Sequence, residues 1–279
     1  MDIKEIRRKS NQIYSINRKQ IIPHYFYVGY VSLLAQYLQS GLFSFFVSIF
    51  LCPIAHGYVK CSMKLVDQEN PILDYHDSLI GIFEFSRVAP AYIMRKFVIL
   101  SISFFISLPV IFSIHQIVPG FNIHWFSFLG SAFIQTEFFL PDFRMALSIM
   151  NNPILVIDLL CSIIVYLSLS TIYMPIPYVM ELEEFSWIEC IIYSVKLMKG
   201  HILSFFQLYM QFFIRHCVYW IITGFVLMFI GSINEFVSLF CLISSLFIYI
   251  ELFKGRFEIA KYLFYKEIRS IDYERSEKN

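Results

Sequence analysis

Two long stretches of this chain contain no Asp, Glu, Lys or Arg, and they limit what the chain can fold into. The first runs from Gln20 to Val59 and the second from Phe97 to Thr136. Each is about twice the ~20 residues that a single helix needs to cross a bilayer. Hydrophobic residues make up 58% of the chain and charged residues only 15%. This composition lies outside the usual range of soluble proteins and predicts an all-α, polytopic membrane protein.

The distribution of Lys and Arg predicts the topology, because these residues collect in cytoplasmic loops. Residues 1–20, the loop 60–96 and the C-terminal tail from residue 254 are all basic, so we expect all three inside. The first uncharged run is then a hairpin and not one overlong helix. The start of the chain lacks the pattern of a cleaved signal peptide, so we expect it to be retained.

A further crossing between residues 121 and 140 would place the basic C-terminal tail outside, so we expect this segment to remain external. The prediction is therefore six transmembrane helices with the N- and C-termini in the cytoplasm, joined by an external insertion at residues 119–152. The predicted spans are about residues 22–38, 41–59, 97–118, 153–178, 202–230 and 236–253.

A separate amphipathic surface helix is predicted before the fifth span. Ser186 and Glu189 form a capping-box pattern, and Gly200 supplies a helix stop. Apolar residues recur between them at helical spacing, and such a stripe needs a surface to pack on. We therefore expect the helix to dock on a partner, on lipid headgroups or on the helix bundle. The stripe consists of Ile188, Ile191, Ile192, Val195 and Met198.

The C-terminal segment at residues 255–271 has Phe257, Phe264 and Ile268 on one side and basic residues elsewhere. Two interpretations fit this pattern equally well. The segment is either an amphipathic helix along the inner membrane surface or a helical extension of the sixth span.

Polar residues inside two predicted spans form a candidate intramembrane site. Gln207, Gln211 and Arg215 are spaced by four, so they share one helix face, and Asp158 lies in the fourth span at a compatible depth. Ionisable groups inside spans cost about 2.5 to 3.5 kcal/mol on insertion scales. The sequence favours a buried pair between Arg215 and Asp158, and the alternative is a polar pathway for a substrate or ion.

Motifs for catalysis, metal binding and cofactor binding are not apparent, and we predict no catalytic residue, metal ligand or cofactor. The six cysteines form no C-x-x-C pair, and His76, between Asp74 and Asp77, fits a helix start better than a metal site. Four nearby carboxylates are expected to form a solvated acidic face: Glu181, Glu183, Glu184 and Glu189.

One segment carries a family resemblance. Residues 194–201 read S-V-K-L-M-K-G-H and resemble the S-K-x-M-M-K-G-H segment of the bacterial domain-of-unknown-function 975 family of integral membrane proteins. In the fifth span, residues 211–215 read Q-F-F-I-R where that family has S-F-I-G-W. Shorter similarities follow the family's order at Pro53 with Gly57 and Tyr58, at Asp77 with Gly81, and at Phe264 with Tyr265 and Ile268.

The resemblance implies a multi-pass protein of unassigned role in the bacterial cytoplasmic membrane. We expect a non-enzymatic component, permease-like or partner-binding, that contacts the lipid bilayer and no nucleic acid. One alternative is the membrane subunit of an ATP-driven exporter, with the helix at residues 187–199 docked on an ATPase subunit. The other is a membrane enzyme acting on lipids.

Overall fold

The structure is a computed structural model of the 279-residue chain and describes residues 2–37, 49–117, 153–183, 185–230 and 235–277. All regular secondary structure in these ranges is helical, which confirms the all-α prediction. A 3₁₀ turn at Cys52–Ala55 leads into α2, and a π turn at Ile250–Lys254 joins α9 to α10. The α-helices are α1 (Ile3–Tyr37), α2 (His56–Asp67), α3 (Tyr75–Phe83), α4 (Phe85–Ile117), α5 (Pro153–Ile172), α6 (Ile176–Leu182), α7 (Trp187–Met198), α8 (Ile202–Ile230), α9 (Glu235–Tyr249) and α10 (Gly255–Glu277).

Helix α1 begins at Ile3, so the basic residues 3–20 belong to a packed helix. Its buried face includes Tyr14, Ile21 and Val28, which recur every seven residues. A seven-residue repeat keeps one helix face against its neighbours. Those neighbours are α10 and α2, and the Tyr14 hydroxyl donates to Glu251, within the π turn, at 2.7 Å.

Helix α10 follows the π turn directly, so the C-terminal segment continues the preceding helical segment, as one of the two interpretations predicted. Phe264, Tyr265 and Ile268 are fully buried by protein. Lys266 forms an ion pair with Asp67 of α2 at 2.8 Å. The apolar face of α10 is therefore covered by other helices and forms the centre of the described core.

Two glycines allow the backbone of α3 to contact α2 and the 3₁₀ turn. A Cβ atom on Gly57 would lie 2.0 Å from the carbonyl oxygen of Ser78, and one on Gly81 would lie 1.9 Å from that of Pro53. No side chain fits at either position. Asp77 accepts from the backbone N–H of Asp74 at 2.9 Å, which confirms the predicted helix start there.

The predicted span at residues 153–178 is not one helix. Helix α5 ends at Ile172, a turn covers residues 173–175, and α6 begins at Ile176. The break has a local cause, since Pro175 caps α6 and Pro177 lies in its first turn. Proline suits the first turn of a helix and disrupts a helix interior.

Other predicted spans agree with the helices to different extents. Helix α8 has the predicted bounds, Ile202–Ile230, whereas α4 begins at Phe85, before the predicted start of its span. Helix α9 ends at Tyr249, and the π turn completes the predicted sixth segment. Residues 38–48 and the predicted external insertion at 119–152 lie outside the described residues. Among the described residues, none of the helices is both long enough and apolar enough to cross a membrane.

Candidate functional site

The most concentrated chemistry in the described residues surrounds Glu181, in the last turn of α6. The turn at residues 173–175 redirects the chain so that α6 lies between α2 and α4. Its Glu181 side chain is only 3% exposed, so the carboxylate has been removed from water. A buried carboxylate needs compensating charges and hydrogen bonds.

Three side chains from two other helices satisfy this carboxylate. His56 Nε2 lies 2.9 Å from Glu181 Oε1, and both Lys60 and Arg87 form ion pairs with the same carboxylate. The hydroxyl of Tyr92 lies 3.1 Å from the other ring nitrogen of His56. A neutral His56 that donates from Nε2 therefore accepts from Tyr92 at Nδ1. The cluster joins α2, α4 and α6.

Glu181 is held as a carboxylate. Burial by itself raises the pKa of Glu181, but the hydrogen bonds and charges of His56, Lys60 and Arg87 outweigh it and hold the pKa well below its ordinary value. A carboxylate that accepts from three donors and has a lowered pKa is a poor proton acceptor. Glu181 therefore stabilises the packing of α6 against α2 and α4.

The predicted solvated acidic face is accordingly wrong for two of its four members. Glu181 is buried in the cluster, and Glu183 is ion-paired with Arg269 of α10. Glu189 is exposed and caps α7, as predicted, and Glu184 lies outside the described residues. The prediction failed because the counter-charges come from distant parts of the chain.

A cleft of about 410 Å³ opens beside the Glu181 cluster. The aromatic side chains of Phe185 and Trp187 are 42% and 37% exposed at its edge. Arg87 reaches across it and donates to the carbonyl oxygen of Met180 at 2.9 Å. The cleft thus combines a guanidinium with apolar aromatic walls and leads onto α7. Its lining is Arg87, Met180, Glu181, Leu182, Glu183, Phe185 and Trp187.

Helix α7 begins at Trp187 as predicted and ends at Met198, one residue before the predicted end, and both predicted caps are present. Ser186 and Glu189 form the reciprocal capping box, and Gly200 has a φ of +86°, the left-handed conformation typical of a helix stop. The face packed on the core differs from the predicted stripe, since it consists of Cys190, Ser194, Leu197 and Met198. Ser194 Oγ donates to the carbonyl oxygen of Ile172, which anchors α7 to the end of α5.

The predicted stripe on α7 is therefore only partly covered. Met198 is buried and Ile191 packs partly against the core. Ile188, Ile192 and Val195 are 50%, 64% and 45% exposed. These three residues and Trp187 form an apolar surface beside the cleft, hereafter the α7 face.

The predicted intramembrane polar site is separate from the cleft. Gln207 is exposed, and Arg215 donates to Asn11 of α1 at 3.4 Å. The first half of α8 thus lies beside the basic first half of α1. The side chain of Asp158 lies outside the described residues, so its pairing with Arg215 stays a prediction.

The Glu181 cluster could not be predicted from local sequence patterns, because His56 and Glu181 are 125 positions apart. The available signal was local: Pro175 and Pro177 mark a new helix, and Glu181 falls at its end. In the described residues no group of three His, Cys, Asp or Glu side chains has the arrangement of a metal site. No family model, curated protein or solved structure matches this chain.

Proposed function

We propose that this chain is a multi-pass integral membrane protein with six spans, cytoplasmic termini and a non-enzymatic, partner-binding role. A row of exposed apolar side chains on α8 supports the membrane assignment. Leu203, Phe206, Met210, Ile214 and Ile221 recur at intervals of three, four and seven residues and are all exposed, with Leu203 at 75% and Ile214 at 73%. Soluble monomers rarely expose extended apolar surfaces, whereas lipid covers them at no cost.

The ion pairs support the proposed sidedness. Glu183 with Arg269, and Asp67 with Lys266, both join segments that the Lys and Arg distribution assigns to the cytoplasm. These pairs connect α10 to the linker after α6 and to the end of α2. In the proposed arrangement, they hold together a helical layer beneath the inner leaflet, and the exposed apolar residues of α8 continue from that layer into lipid.

The α7 face carries the partner-binding proposal. Its three exposed aliphatic side chains stand next to a cleft whose wall bears Arg87, and Lys196 and Lys199 are exposed at the far end of the helix. An apolar strip with two exposed lysines at one end fits a protein partner that offers an apolar groove with acidic residues at one side of its rim. An ATPase subunit with such a groove would make the chain an exporter component. The resemblance at residues 194–201 leads us to propose the same broad membrane class for this chain.

Site-specific photocrosslinking tests the partner. A photoreactive residue at position 192 should give a discrete protein adduct in native membranes, and the adduct should be lost when Val195→Asp is added. The matched control is a photoreactive residue at Ile72, which is 78% exposed but lies away from α7. An adduct that contains a nucleotide-binding subunit would support the exporter form. Lipid adducts alone at position 192, or the same protein adducts from both positions, would contradict partner binding.

A further inference from the structure

Three arginines from distant parts of the chain lie together beside the first half of α8. Arg215 of α8 donates to Asn11 of α1 at 3.4 Å, and Arg7 precedes Asn11 by one helical turn. Arg256, at the start of α10, lies over the Tyr14 ring, with its guanidinium carbon 4.2 Å from the ring centroid. Tyr14 follows Asn11 on the same side of α1. The three arginines are half-buried and lie where α1, α8 and the π turn contact one another.

Positive charge exceeds negative charge at this place in the fold. Glu251 is shared between two cations, since its carboxylate lies 3.1 Å from Arg18 and 4.0 Å from Arg256. Arg7 and Arg215 form no ion pair with any of the described residues. The side-chain charges that act on Arg215 are those of Arg256 and Arg7, and both are positive. The protein therefore holds like charges close together without a carboxylate for each.

An anion suits this group of arginines better than water does. Water satisfies the donors of a guanidinium group but leaves the repulsion between like charges in place. The side-chain oxygen of Gln211, one turn before Arg215, is a buried acceptor without a partner among the described residues, but it is neutral and offsets no charge. Arginine binds phosphate through paired N–H donors and opposite charge. The arrangement therefore favours an anion with several oxygen atoms.

The surroundings of Arg215 indicate the source of such an anion. Ile214, its neighbour in the chain, and Val218, one turn further along α8, are exposed apolar residues. In the proposed topology, the first turns of α1 and the start of α10 are cytoplasmic, and the contact with Asn11 holds Arg215 at the same level. Exposed apolar side chains beside cations are expected where acyl chains meet headgroups. Basic sites between helices on this side of a membrane bind anionic headgroups.

We propose that Arg7, Arg215 and Arg256 bind the phosphate group of an anionic phospholipid of the inner leaflet, such as phosphatidylglycerol. This inference rests on the proposed membrane topology. The guanidinium groups of Arg7 and Arg215 donate to the phosphate oxygens, and Arg256 contributes charge from its position over the Tyr14 ring. The acyl chains lie along the exposed apolar row of α8. The lipid phosphate, and not Asp158, is then the anionic partner of Arg215.

Thermal unfolding of the purified full-length chain in mixed micelles of a neutral detergent and lipid provides the test. The unfolding midpoint should rise as phosphatidylglycerol replaces phosphatidylcholine, because a ligand that binds only the folded state stabilises it. Arg215→Gln and Arg7→Gln should each raise the half-maximal phosphatidylglycerol fraction by about fivefold or more. In phosphatidylcholine alone, neither variant should unfold clearly below the parent, since each substitution relieves repulsion between like charges. An arginine that only held helices together would lower that midpoint when removed, and this result would overturn the proposal.

Arg8→Gln is the matched control, because Arg8 lies on the same helix as Arg7 but is 68% exposed and pairs with Glu5. Its loss should leave the half-maximal phosphatidylglycerol fraction unchanged. Equal lipid responses in the parent, Arg7→Gln and Arg215→Gln would overturn the site. At constant ionic strength, inorganic phosphate should not raise the midpoint as phosphatidylglycerol does. An equal rise with inorganic phosphate would identify a soluble phosphate ligand and would overturn the lipid assignment.

Alkaline washing of native membranes separates this test from that of the proposed function. The parent should stay in the membrane fraction, since washing removes only peripheral proteins. A chain that stays there but shows no preference for phosphatidylglycerol over phosphatidylcholine would contradict the lipid site alone. A chain that washing releases would contradict membrane integration and, with it, the lipid site.

Discussion

His56 Nε2 lies 2.9 Å from Glu181 Oε1, and these two side chains are 0% and 3% exposed. The contact joins the start of α2 to the end of α6, and Tyr92 extends it to α4 through the other ring nitrogen of His56. Three helices that are distant in sequence are therefore held by one carboxylate. Because Glu181 also lines the cleft next to α7, these contacts hold that wall of the cleft in place.

Glu181→Gln should destabilise the fold, because it keeps the side-chain volume and leaves Lys60 and Arg87 without their buried counter-charge. Breaking a buried ion pair costs about 3 to 5 kcal/mol, and we expect the lower end of that range. Lys60 and Arg87 keep partial access to water, with side-chain exposures of 30% and 42%. Denaturant unfolding in detergent measures the loss. The control is Glu69→Gln at an exposed position, where the change should stay within about 0.5 kcal/mol. Equal losses in both variants would contradict the role of Glu181.

The stability should depend on pH through the same carboxylate. The pKa of Glu181 is lowered in the folded chain, so in acid the unfolded chain takes up the proton first. Its contribution is present above the ordinary carboxyl pKa of about 4.3 and is lost as the pH falls below it. Glu258 acts in the same direction, because the ammonium groups of Lys254 and Lys261 outweigh the effect of burial and lower its pKa. Unfolding midpoints between pH 7 and pH 3 should therefore fall more steeply in the parent than in Glu181→Gln. Parallel profiles would show that Glu181 does not contribute.

Gly81→Ala should be more damaging than Gly200→Ala, although both replace glycine by the same residue. At Gly200 the added Cβ meets nothing within 4 Å, and the cost is the left-handed conformation, about 1 to 2 kcal/mol. At Gly81 the Cβ would lie 1.9 Å from the Pro53 carbonyl oxygen, so α3 must move away from the 3₁₀ turn. Unfolding midpoints of the two variants make the comparison. Similar midpoints would mean that the α3 contact is looser than described.

Features set by neighbouring residues could be predicted from the sequence. The capping box of Ser186 and Glu189, the stop at Gly200 and the bounds of α8 depend on local chemistry, and the structure confirms them. The face of α7 that packs on the core could not be predicted in the same way. The predicted stripe and the face that packs on the core are both largely apolar. Which of the two faces is buried depends on where α5 and α10 lie.

Long-range pairing accounts for the other errors. The packing of α1 against α2 and α10 was not predicted, although Tyr14, Ile21 and Val28 recur every seven residues in the sequence. The Lys and Arg residues near the N-terminus are compatible with this packing, because such residues readily occupy the exposed side of a packed helix. Glu181 likewise resembled a surface acid, because its partners on α2 and α4 are contributed by folding and not by sequence neighbours.

Thiol labelling in intact cells tests the central proposal, the membrane topology, most directly. In a cysteine-free background, Asn122→Cys should react with an impermeant reagent, because the external insertion is proposed to face outward. Asn70→Cys, in the exposed connection between α2 and α3, should react only after the cells are permeabilised. Labelling of Asn70→Cys in intact cells, or of neither cysteine before permeabilisation, would contradict the proposed topology.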